Sequence, residues 1–126
     1  MQTIKIMEET LQSESGDIAL YLAMSRKAHE EGHEEISLYL RKVAMDEAVH
    51  AAQFAGLLGK LRDTKSNLEM MLDSEIRAEK KKAEAAQIAL FEGHEEAHRV
   101  FERTMRDETS HKEGLKKAIL KLHEKD

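Results

Sequence analysis

Asp46-Glu47-Ala48-Val49-His50 returns 61 positions later as Asp107-Glu108-Thr109-Ser110-His111. In each copy a glutamate and a histidine stand three residues apart on a stretch with helical periodicity. Both side chains therefore leave one face and can close on a single metal ion. Two such pairs point to two metals. The offset of 61 extends well beyond the motif. It relates Glu14 to Glu75, Leu11 to Leu72, Ser13 to Ser74, and Glu31-Gly32-His33-Glu34-Glu35 to Glu92-Gly93-His94-Glu95-Glu96. The chain reads as a tandem duplication, a single domain over 1–126 made of hairpin repeats 1–61 and 62–126.

Apolar residues recur at steps of three and four through four long segments. Helix A is expected from about Thr3 to Glu31, with a seam of Ile4, Met7, Leu11, Glu14, Ile18, Tyr21, Ser25 and Ala28. Helix B, from about His33 to Lys60, has Ile36, Leu40, Val43, Glu47, His50, Phe54, Leu57 and Leu61. Helix C runs to about Glu92. Ser66 and Glu69 have the spacing of a capping box at its start, and Leu68, Leu72, Glu75, Glu79, Lys82, Ala86 and Ala89 form its weaker seam. Helix D, about His94 to His123, has Ala97, Phe101, Thr104, Glu108, His111, Leu115, Ala118 and Leu122. Gly32 and Gly93 are expected to end helices A and C in the left-handed conformation. Folding each hairpin there brings Glu14 level with Glu47, and Glu75 level with Glu108. Six candidate ligands then converge in an all-α four-helix bundle.

Composition narrows the function. Charged residues make up 36% of the 126, aromatics 4%, and there is no proline, which suits long amphipathic helices. The net charge of −5 is spread through both signs, and the longest basic block is Lys80-Lys81-Lys82, so no nucleic-acid footprint is present. Zero cysteine excludes disulfides, iron–sulfur clusters and cysteine-held zinc. No apolar run reaches the ~20 residues of a membrane span, and Met1-Gln2-Thr3-Ile4-Lys5 lacks a signal peptide's apolar segment. A cytoplasmic protein is expected.

Four carboxylates placed in an apolar seam repel one another and each costs several kcal/mol when ionised. Two divalent cations cancel their charge. Carboxylates with one imidazole per metal favour two iron ions, with manganese or another divalent metal as the alternative. The metal ligands, and with them the catalytic centre, are therefore expected to be Glu14, Glu47, His50, Glu75, Glu108 and His111. Asp46 and Asp107 are candidates for fixing the tautomer of the ligating histidines, and Tyr21 for a hydrogen bond or electron relay at the site. Glu30 with His33 and Glu95 with His98 share the spacing, but neither pair recurs at the offset. His29, His33, His94, His98 and His123 are read as surface or turn residues.

One glutamate from each of two helices and Glu-x-x-His from each of the other two resembles the ferritin-like di-iron proteins. Glu14-Ser15 with Tyr21 seven residues after the glutamate is similar to the first ligand segment of the rubrerythrins. The resemblance implies a ferritin-like four-helix bundle. The absence of cysteine makes the chain similar to the stand-alone erythrins, which lack the rubredoxin domain. It also implies a non-haem peroxidase that reduces hydrogen peroxide, or oxygen, with electrons from a separate donor such as a rubredoxin. The alternative is a ferroxidase handling iron as ferritins do. The family's further carboxylate, three residues after the third-helix glutamate, falls on Ala78, so Asp17 or Glu79 would have to take its place. In the ferritin-like topology helices B and C run the same way. About six linking residues reach only about 20–22 Å of the roughly 28 Å to be covered. A homodimer that exchanges hairpins is expected, the alternatives being a monomer with an unwound turn near Gly56 and Gly59 or a simple up-down-up-down bundle; no nucleic-acid and no membrane partner is expected.

Overall fold

The computed structural model describes residues 1–124 and is wholly helical with turns among them: α1 Gln2–Glu30, α2 Glu34–Leu57, α3 Thr64–Phe91 and α4 Glu95–Glu124. No helix among the described residues is long and apolar enough to cross a membrane. The chain divides between Leu61 and Arg62 into two compact units. In the first, α1 packs on α2; in the second, α3 packs on α4.

Three helix ends share one device. Gly32, Gly59 and Gly93 take φ of +84°, +71° and +80°. The residue after each donates back into the helix, His33 N–H to Ala28 O at 2.8 Å, Lys60 to Ala55 at 3.2 Å and His94 to Ala89 at 2.8 Å. An L side chain in this conformation clashes with its own backbone, so glycine is favoured. A Cβ at Gly93 would meet nothing within 4 Å, so the cost of adding one is the backbone's alone. Gly93→Ala is expected to destabilise the second hairpin by about 1–2 kcal/mol, read as a lower urea midpoint at unchanged slope. Gly59 also ends α2 at Leu57, three residues before the expected Lys60.

The start of α3 differs from the expectation. Asp63, not Ser66, is the N-cap, its carboxylate accepting from Ser66 N–H at 2.7 Å. That contact holds the Asp63 carboxyl below its usual range. Asn67 closes the turn by bonding both the N–H and the carbonyl of Arg62. Ser66 and Glu69 have the right spacing, but the helix already has a better acceptor one turn earlier.

The helix seams follow the expected period with a shift of one residue in places. In α1, Met7, Leu11, Glu14, Ile18 and Tyr21 are half-buried and Ser25 and Ala28 buried, while Ile4 is exposed. In α2 the contact line runs through Ser37, Ala44 and Ala51, leaving Ile36 and Leu57 exposed. Small residues let the helix axes approach, and that turns the larger neighbours outward. Among the described residues every buried one is alanine or serine, and no large side chain is fully buried.

Each hairpin is clasped near its turn by a polar contact at equivalent positions. Ser25 Oγ donates to Ser37 O at 2.8 Å and Ser37 Oγ to Ser25 O at 2.7 Å. Sixty-one residues on, His98 Nδ1 bonds Ala86 O at 2.7 Å, and its Nε2 pairs with Glu102. His98 is thus a half-buried clasp, not the surface residue the sequence suggested, and Ala97 beside it is exposed.

Candidate metal centre

The four-residue period of α1 and α2 carries Glu14 and Glu47 to the inner face of the first hairpin, and His50 sits one turn beyond Glu47. The three offer oxygen and nitrogen atoms all within 4.8 Å of one another. Glu75, Glu108 and His111 make the same group in the second hairpin. His50 Nδ1 lies 3.9 Å from Glu47 Oε1. His111 Nδ1 lies 3.5 Å from Glu75 Oε1 and 3.8 Å from Glu108 Oε2. All six residues singled out by the repeat thus belong to two triads, one per hairpin.

Burial differs within each triad. The Glu75 and Glu108 side chains are 16% and 14% exposed, against 59% for His111. Each imidazole therefore stands at the exposed mouth of its group. Glu14 Oε2 and Glu75 Oε2 are buried and have no hydrogen-bond partner among the described residues. A buried carboxylate oxygen left without a donor costs more than a lost surface hydrogen bond, and a cation would meet that need. The residues present therefore suit a divalent metal, with hard oxygen donors and one nitrogen in each triad.

The second triad shows how closely the acids are set. Contact with Glu108 pushes the Glu75 carboxyl above its ordinary range, and burial adds to the effect. Glu108 is held low by the same contact and by the Lys82 ammonium. Lys82 reaches across from α3 to Glu108 Oε1. Its place in the α3 seam was visible in the sequence, but its partner was not.

The other candidates lie beside the triads or on the outer face. Asp46 pairs with Lys42 at 3.1 Å on the exposed face, and Asp107 is exposed. Each lies about 100° round the helix from its glutamate and one turn before its histidine. Glu79 accepts from Thr109 and from Lys112 at 3.1 Å. These two contacts hold its carboxyl below the usual range. Asp17 lines an open recess together with Glu9, Ser13, Glu14 and Glu47.

The description "Rubrerythrin" belongs to a family model that matches residues 5–119. The chain belongs to the rubrerythrin family. It is 41% identical over 113 residues to an uncharacterized protein of Methanocaldococcus jannaschii, covering 89% of this chain and 80% of that protein. Reverse rubrerythrin-1 of Clostridium acetobutylicum is 37% identical over 100 residues, 78% of this chain. The rubrerythrin chain spans 55% of that relative's length. A bacterioferritin structure from Rhodobacter capsulatus aligns over 98% of this chain and 86% of its own, with TM-score 0.48 and 22% identity.

Proposed function

We propose that this rubrerythrin-family chain is a non-haem di-iron peroxidase that reduces hydrogen peroxide to water and is re-reduced by a separate donor such as a rubredoxin. The observation that carries the reading is the pair of matched triads, each with a buried carboxylate oxygen that lacks a partner. Glu14, Glu47 and His50 would hold one ion, and Glu75, Glu108 and His111 the other. When bound, two ferrous ions supply the two electrons that hydrogen peroxide takes up, with two protons, to give two waters. The four carboxylates neutralise the four positive charges, so filling the site removes the repulsion between the acids. The imidazole edges of His50 and His111 are exposed, so a small oxidant could reach each triad from solvent.

The triads of two chains combine by exchange of hairpins in a homodimer. Residues 58–63 are all that links α2 to α3. In a ferritin-like bundle the link would travel back roughly 27 Å, from about 10 Å past His50 to about 16 Å short of Glu75. The seven Cα–Cα steps from Leu57 to Thr64 reach about 23–25 Å when fully extended. The scarcity of fully buried large side chains in a hairpin agrees, since apolar seams of this size need a second layer. Mass measurement in solution is expected to give a dimer; a stable monomer holding two metals would defeat the exchange.

Mixing the anaerobic ferrous protein with hydrogen peroxide in one syringe and oxygen in another tests the activity. Oxidation at least about tenfold faster by peroxide, with iron released on chelation as two ions per chain, is expected. Faster oxidation by oxygen, with iron accumulating as mineral, would establish the ferroxidase alternative.

A further inference from the structure

The duplication supplies an internal control, because each position near one triad has a counterpart 61 residues away. Around Glu47 the counterparts are apolar or neutral: Tyr21, Ile18, Ala48 and Ala51. Around Glu108 they are Lys82, Glu79, Thr109 and Lys112. Lys82 pairs with Glu108 across the helix contact, with side chains 32% and 14% exposed, so water screens this pair less than a surface one. Lys112 and Thr109 hold Glu79 one turn from Glu75. Among the described residues Glu47 has no lysine or arginine within ion-pair distance; its neighbours in the triad are Glu14 and His50.

We infer that the two metal sites are unequal, with Lys82 acting as a tethered cation on Glu108 that a metal must displace or share the carboxylate with. This rests on the di-metal reading above. The Glu14, Glu47 and His50 triad offers two carboxylates to an incoming ion. In the second triad one carboxylate already carries a charge-assisted hydrogen bond. Lys82 adds a like charge beside the incoming ion as well. The first triad therefore fills first, and the second fills with an affinity lower by about 10- to 100-fold, the range in which partners of a ligand tune metal binding. Lys82 is a positioning residue: it orients Glu108 while the site is empty and sets the order of loading.

Anaerobic calorimetric titration of the metal-free protein with Mn(II), a probe that avoids oxidation, tests this directly. Wild type is expected to bind two ions per chain in two resolved steps. Lys82→Met should strengthen the second step by about tenfold and leave the first within a factor of two or so. Tyr21→Lys, which sets an ammonium at the matching place in the first hairpin, should weaken the first step by a similar factor. It serves as the test where Lys82→Met fails to fold. Two ions bound in one indistinguishable step, or a Lys82→Met protein whose second step is unchanged or weaker, would overturn the inference while leaving the di-metal reading standing. Binding of fewer than two ions by wild type would overturn both.

Discussion

Glu14→Gln and Glu75→Gln combined are expected to abolish iron retention while leaving the metal-free protein at least as stable as wild type. These two glutamates carry the buried oxygens without partners. Glutamine keeps the shape but removes the charge, and a neutral amide oxygen is a poorer ligand for a hard cation. Losing a direct ligand from each triad should cost at least the about 100-fold seen for changes to a ligand's hydrogen-bonding partners. Iron per chain after desalting should fall from two to about a tenth of that, and peroxide reduction with it. The acids no longer repel, and the new amide at position 75 can donate to Glu108, so the melting temperature of the metal-free variant should match wild type or exceed it by a few degrees. A variant that keeps both ions, or that unfolds, would mean these carboxylates serve the fold and not the metal.

The second large effect is stabilisation by metal. Ions that bind only the folded chain raise its stability by about 2.7 kcal/mol per site at a free concentration 100 times the dissociation constant. Two sites together give about 5 kcal/mol, or a rise of about 15–30 °C in melting temperature for a chain of this size. Differential scanning calorimetry with and without Mn(II) reads it. The Glu14→Gln, Glu75→Gln variant should show almost no rise. A wild-type shift under about 2 °C would show that the triads bind metal too weakly to be its home.

Much of this was legible because the repeat filters chance. A lone Glu-x-x-His is common in a helix-rich acidic chain, and Glu95 with His98 is one; only pairs that recur at 61 residues with an upstream glutamate fall into the triads. Gly32 and Gly93 were readable because one backbone conformation favours glycine. The contact line of α2 was not. Periodicity marks which face is apolar, but the small residues Ser37, Ala44 and Ala51 decide how the faces seat, and hydropathy ranks Ile36 and Leu57 above them. The same blindness hid the role of His98, whose partner is a backbone carbonyl that no motif records. Lys82 in the α3 seam was a visible anomaly, and only the fold revealed that Glu108 answers it. Asp46, four residues before His50, pairs instead with Lys42, a lysine that no metal motif records.

The most direct test is anomalous diffraction at the iron edge from crystals grown anaerobically with ferrous iron. Two peaks per chain's worth of ligands are expected, one bonded to His50 with Glu14 and Glu47, the other to His111 with Glu75 and Glu108. A single peak, peaks held by other residues, or those six side chains turned into solvent beside an iron-free interior would contradict it.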